Sequence, residues 1–196
     1  TKEDKPGIDI IIKPGTTNES VHIPVVLSES GLKDLVYNDF YIGEGADVVI
    51  VAGCGIHNCG TDTSEHDGIH TFFIGKNAKV KYIEKHYGEG DGTGEKILNP
   101  TTIVHIDEGG YMEMETTQIK GVDSTVRDTK ADLADGATLV IKEKIMTHGN
   151  QTAETNFVVN LDGVDSSANV ISRSVAKDSS KQVFNSKICG NNKCYG

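Results

Sequence analysis

The stretch Ile42-Gly43-Glu44-Gly45-Ala46-Asp47-Val48-Val49-Ile50 holds the pattern that decides the fold. An apolar residue precedes a turn-like triplet, a small residue follows, and apolar residues then return at every second position. This is how a strand turning a corner into another strand reads in sequence. With Ala46 as position zero, the pattern recurs at Ala78, Gly110, Ala137 and Ala168. Four residues earlier stand Ile42, Ile74, Ile106, Leu133 and Val164. Two residues after zero stand Val48, Val80, Met112, Leu139 and Val170; four after stand Ile50, Tyr82, Met114, Ile141 and, as a polar exception, Ser172.

Successive zero positions lie 32, 32, 27 and 31 residues apart. A fixed-period repeat built from short strands, with no long amphipathic helix between copies, reads as a solenoid. A single unit of this kind cannot bury its own apolar face. Stacking buries it, with equivalent side chains piled about 4.7–4.9 Å apart. The expected fold is all-β, a parallel β-helix, with a β-sandwich as the alternative. A sandwich would not keep the same columns apolar over five copies.

Composition fits the same reading. The 196 residues suit one domain, and the whole chain, 1–196, is taken as a single β-helix domain. Only 36% of residues are hydrophobic while 22 are Gly, as a narrow stacked core with many tight turns requires. The net charge of −10 argues against nucleic-acid and anionic membrane surfaces as partners. No apolar run is long enough to span a bilayer as a helix. The cysteines come as Cys54-x4-Cys59 and Cys189-x4-Cys194, outside the spacing of common zinc knuckles. They read as free or metal-binding thiols in a reducing, cytoplasmic setting.

Chemistry-bearing residues concentrate between Cys54 and His70, where Cys54, His57, Cys59, His66 and His70 alternate with Asp62, Glu65 and Asp67. Thiol, imidazole and carboxylate at this density can hold zinc or iron, but the spacings match no standard ligand pattern, and taken alone the segment reads as a polar loop whose histidines cap turns. Register sharpens the expectation. Cys54, His86 and Gln118 each lie eight residues after a zero position, and Ala52, Glu84 and Thr116 lie six after. Regular strands would therefore place Cys54 beside His86 on the next rung, with Glu84 on the same face. A bulge at Gly53 or Gly55 would break that column. The run Gly88-Glu89-Gly90-Asp91-Gly92-Thr93-Gly94 lacks the ending of a phosphate loop and reads as a flexible excursion from its rung. Glu113 and Glu115 read as a solvated strand face. Gly190-Asn191-Asn192 reads as a sixth turn triplet, with Cys189 inward and Cys194 outward.

Several stretches carry a family resemblance: Val36-Tyr37-Asn38-Asp39-Phe40-Tyr41-Ile42-Gly43, Ala52-Gly53-Cys54-Gly55-Ile56-His57, Ser64-Glu65-His66-Asp67-Gly68-Ile69-His70, Glu84-Lys85-His86-Tyr87-Gly88 and the closing Ser186–Gly196. Together they are similar to the SufB/SufD family over roughly residues 20–196. The resemblance implies a right-handed parallel β-helix, read here as a fragment truncated at its C-terminal end, without the last rungs and following helices of the family. It implies a non-catalytic scaffold for iron–sulfur cluster assembly in the SufBCD system. It also implies a SufC-like ABC-type ATPase partner, contacted through regions outside this chain. Pairing would be with a SufB/SufD-type partner, or as a homodimer through the open β-helix edge. The iron–sulfur cluster would be transient and belong to the full assembly, not necessarily to this fragment. The candidates within the chain are Cys54, Cys59, Cys189 and Cys194 for cluster or sulfur binding, and His57, His86 and Glu84 as metal ligands. A carbohydrate-active β-helix protein and a purely structural interaction module are the competing functions. The absence of Trp, 6% aromatic residues and only two arginines, Arg127 and Arg173, weigh against the carbohydrate reading.

Overall fold

The computed structural model describes residues 2–196. In chain order the strands are β1 (Gly7–Ile12), β2 (Thr17–Leu27), β3 (Lys33–Ile42), β4 (Asp47–His57), β5 (Ser64–Ile74), β6 (Lys79–Glu89), β7 (Lys96–Leu98), β8 (Thr101–Ile106), β9 (Tyr111–Gln118), β10 (Ser124–Leu133), β11 (Thr138–Thr147), β12 (Thr152–Leu161), β13 (Ser167–Ala176) and β14 (Lys181–Gly190). They form two sheets. One runs β1-β3-β5-β7-β10-β12-β14, with β8 continuing the β7 rung; the other runs β13-β11-β9-β6-β4-β2. Every pairing between strands is parallel. The chain therefore winds through six turns, each with one strand in either sheet except the fourth, where β7 and β8 share a rung, and β14 opens a seventh. No helix among the described residues is long and apolar enough to cross a membrane.

The predicted corner is the link between the sheets. The residue just before zero adopts a left-handed conformation in every copy: Gly45 (φ 66), Asn77 (φ 56), Gly109 (φ 67), Gly136 (φ 64) and Asp165 (φ 57). Only Gly, Asn and Asp tolerate that conformation readily, so the triplet chemistry is a steric demand of the corner. Its hydrogen bonds repeat too: Ala46 N donates to Gly43 O, Ala78 N to Gly75 O and Ala137 N to Ala134 O.

The fifth copy departs from the sequence reading. Leu139 pairs with Ala168 and Ile141 with Val170, so zero in this copy is Ser166, not Ala168. Leu133 pairs with Leu161, so Leu161 replaces Val164 in the inward column. The corner has one extra residue: both Asp162 N and Gly163 N donate to Leu133 O, leaving Val164 exposed. The supposed exception Ser172 belongs two positions further along, in register with Glu143.

The sixth copy is displaced from the reading by one residue. Gly190 pairs with Leu161 and Cys189 with Asn160, so the triplet is Asn191-Asn192-Lys193 and zero is Cys194. A shift of one inverts the faces. Cys194 packs against the core, while Cys189 shares the outward side with Asn160. The glycine-rich run is not a loose excursion either. Gly92 N donates to Asn58 O and Gly94 N to Gly60 O, laying the segment flat on the loop of the rung before it. Gly90 (φ 102) passes so close to Asn58 that a Cβ would meet its carbonyl oxygen at 2.2 Å.

Next to the corner the interior is apolar. Phe40 stacks on Phe72 with ring centroids 4.3 Å apart, and Val48, Val80, Met112 and Leu139 form one buried column. Each such side chain contributes roughly 1.5–3 kcal/mol by leaving water. Outside, Lys81 and Lys142 flank Glu113 at 3.6 and 2.9 Å, and Lys144 meets Glu115 at 3.0 Å, which is the expected solvated face.

Candidate functional site

Farther from the corner the inward columns turn polar. Period two carries β6 from Val80 and Tyr82 to Glu84 and His86, all buried. The register runs unbroken from Asp47–Lys79 to His57–Glu89, so Gly53 and Gly55 make no bulge and Cys54 pairs with His86. His86 in turn pairs with Gln118.

These groups join a buried hydrogen-bond chain. The Asn38 amide nitrogen lies 3.3 Å from His70 Nε2, and its oxygen accepts from Ile8 N, so the amide donates and Nε2 accepts. His70 Nδ1–H then faces the Tyr82 hydroxyl at 2.8 Å, and Tyr82 donates to Glu84 Oε1 at 2.9 Å. Arg127 Nη1 donates to Glu84 Oε2 at 2.7 Å, and Nη2 lies 3.2 Å from His86 Nδ1. Arg127 Nε sits 3.5 Å from Glu143 Oε2. Glu143 accepts from Thr155 at 3.0 Å and from Ser172 at 2.9 Å.

The environment sets the protonation states. Burial alone would raise the Glu84 carboxyl, but His86 and Arg127 outweigh it and hold it well below the usual carboxylate range. Burial pushes Tyr82 well up and lowers His70 to about 4, so neither is ionised near neutral pH. Cys54 is pushed up to about 12 by burial, with the Glu84 charge adding to the effect. Its thiol keeps its proton and packs with Leu27, Ile56, Leu98 and Val122.

Cys59 has the opposite setting. It is exposed, on the loop after β4, with its Sγ 3.1 Å from His57 Nε2. The imidazole can take the thiol proton and leave the nucleophilic thiolate. Cys189 and Cys194 are half-buried at the far end of the solenoid. Cys194 Sγ would lie 2.9 Å from a Cβ at Gly190. The candidate residues thus fall into three places: Cys54, Glu84 and His86 inside, His57 at the end of β4 with Cys59 on the loop after it, and Cys189 and Cys194 at the last corner. No group of three or more His, Cys, Asp or Glu among the described residues is arranged to hold a metal ion.

Arg127, Glu143, Tyr82 and His70 carry the interior network without having been singled out for it. Parity could have found them. Counting back by twos from Leu133 reaches Arg127, and counting on from Ile141 reaches Glu143. What parity does not give is that Arg127 reaches Glu84, 43 residues away on the opposite sheet.

Residues 37–195 match the family model described as the SUF system FeS cluster assembly, SufBD core domain. The chain belongs to the SufBD family. Curated relatives agree. An iron–sulfur cluster assembly SufBD family protein of Methanocaldococcus jannaschii is 28% identical over 93% of this chain and 57% of its own length. A second SufBD family protein, from Archaeoglobus fulgidus, is 29% identical over 89% of this chain and 46% of its own. The chain spans about half the length of these relatives. No solved structure matches significantly. The SufBD core match runs from β3 to the last corner, the same stretch in which the stacked columns repeat.

Proposed function

We propose that this chain is the β-helical core of a scaffold on which iron–sulfur clusters are assembled, working with an ABC-type ATPase and with a second SufB/SufD-type chain or a second copy. The observation that carries this reading is the SufBD core match over residues 37–195. The cluster is cargo, built and passed on. The cysteines lie in separate places and no group of three ligands is gathered, which is consistent with ligands being completed by a second chain.

Cys59 is the thiol best placed to accept sulfur. Its thiolate, with the proton moved to His57 Nε2, attacks the outer sulfur of a donor persulfide. The donor S–S bond breaks, the donor leaves as its thiolate, and Cys59 becomes the persulfide with no net redox change. Cys54 is unsuited to this step, being buried and protonated. The test is incubation with a persulfide donor followed by mass spectrometry. One added sulfur atom on Cys59, absent in Cys59→Ser and slowed in His57→Ala, supports the step; sulfur on Cys54 with Cys59 unmodified overturns it. For the scaffold itself, anaerobic reconstitution with ferrous iron and sulfide should give a cluster absorption band that needs both this chain and its paired chain. A spectrum unchanged by the pair would leave a structural module.

A further inference from the structure

A lateral face of the solenoid, beside the corner, carries an aromatic ladder and a groove. Ile11, Tyr41, Phe73 and His105 stand in register on β1, β3, β5 and β8 and point outward. Tyr41 lies on Phe73 with ring centroids 5.1 Å apart, and Phe73 on His105 at 5.3 Å. The stacked rings cover one another's faces and turn their edges to solvent, leaving Tyr41 and Phe73 exposed. The corner hydrogen bonds carry the same register into the next column, Lys13, Gly43, Gly75 and Asp107. No side chain fits at its middle, since a Cβ at Gly43 would meet Pro14 N at 2.3 Å and one at Gly75 would meet Ile42 O at 2.8 Å. The result is a groove of about 450 Å³ along the aromatic edges, with Lys13 at one end and Asp107 at the other. Rungs added at either end of the solenoid would lengthen these columns and would not cover them.

The face is complementary to its own reverse. Its charges change sign about the middle of the groove, between the second and third rungs. Turning the solenoid end for end exchanges Lys13 with Asp107 and Tyr41 with Phe73. In the column beyond, where Glu44, Lys76 and Glu108 follow one another, it exchanges Glu44 with Lys76. Opposite charges at both ends of a shared apolar strip are what a two-fold interface between identical chains requires. The inner charges add less, because Lys76 already meets Glu108 of its own chain at 2.8 Å. A sugar or a nucleobase fits poorly, since each stacks on a ring face and the faces here are taken by neighbouring rungs. The net charge of −10 repels a second copy at long range and keeps the pairing weak.

We propose that this groove is a docking surface for a second copy of this chain, set antiparallel about a two-fold axis that crosses the ladder between Tyr41 and Phe73. Lys13 of each copy then meets Asp107 of the other, and the aromatic edges meet across the axis. The surface is separate from the open edge of the solenoid and independent of the cluster-assembly reading.

Sedimentation velocity tests it. At about 200 µM, where small interfaces become populated, this chain should show a monomer–dimer equilibrium. Phe73→Glu should weaken association at least about tenfold. Lys13→Asp and Asp107→Lys should each be monomeric alone, because like charges then face each other at both ends of the groove. An equimolar mixture of the two should regain the dimer, since every facing pair in the mixed dimer is again opposite in sign. These side chains are exposed, so the variants keep the fold. A chain that stays monomeric throughout would overturn the proposal. So would a mixture no more associated than its components, or a dimer untouched by Phe73→Glu, which would assign pairing to the open edge.

Discussion

The two halves of the solenoid interior are built from the same strands and the same columns, yet they are held by different physics. Near the corner, Phe40, Phe72, Val80, Met112 and Leu139 stack as like on like. Such a half is additive, since each rung buries the one before it and tolerates small changes of volume. Farther along, His70, Tyr82, Glu84, His86 and Arg127 form one chain of hydrogen bonds spanning several rungs, and Arg127 extends it by an ion pair to Glu143. That half is conditional. Removing one member strands its partners in a site without water, whereas a lost methyl group in the other half only leaves a gap. The stability of a rung and its chemical character thus reside at opposite ends of the same strand.

The sharpest way to break the comparison is to delete one side chain from each half. Phe72→Ala and Arg127→Ala should each cost about 3–5 kcal/mol in urea unfolding, the first by cavity formation and the second by stranding Glu84 and Glu143. The rescue separates them. Arg127→Met combined with Glu84→Gln and Glu143→Gln should recover most of the loss, while no polar change rescues Phe72→Ala. Failure of that rescue would mean the polar half is not a charge network.

Acid titration comes next. His70 is lowered to about 4 inside the fold and titrates near 6.5 when unfolded. Below pH 6.5 the unfolded chain binds a proton that the folded chain refuses. Stability should therefore fall by about 3 kcal/mol between pH 6.5 and 4, then lose this dependence. Glu84, held low in the fold, adds a second loss that begins only below about pH 4.3. His70→Asn should flatten the upper window alone. An unchanged pH profile in His70→Asn would place the titrating group elsewhere.

The two thiols five residues apart sharpen the contrast between inside and outside. Alkylation of the native chain should label Cys59 at least 100-fold faster than Cys54, which reacts only through opening of the fold. Cys59→Ser should leave stability within about 0.5 kcal/mol. The smallest effect belongs to the outer ladder. Lys142→Ala, which removes the 2.9 Å contact with Glu113, should cost less than about 1 kcal/mol and less still in high salt.

How much could be read in advance follows the same division. The Cys54–His86 pairing was legible because strands β4 and β6 carry no insertion between their zero positions. The fifth corner was misread because it carries one extra residue, at Asp162-Gly163, and the last because its triplet begins at Asn191 and not at Gly190. The left-handed residue would have corrected both the fifth zero and the sense of Val164, since Asp165 is the position that tolerates it. No comparable local mark distinguishes the last corner, so Cys189 and Cys194 exchange faces between the reading and the fold.

By itself, the amino-acid sequence determined the solenoid, its columns and, through the fourth corner, the side each residue faces, because corner stereochemistry and strand alternation act over a few neighbouring residues. Only the tertiary structure decided which inward polar groups meet: Arg127 with Glu84 and His86, Tyr82 with His70, and Glu143 with Arg127, Thr155 and Ser172. Those contacts join opposite sheets and rungs up to 43 residues apart, and their strength comes from shared exclusion of water, which no local pattern encodes.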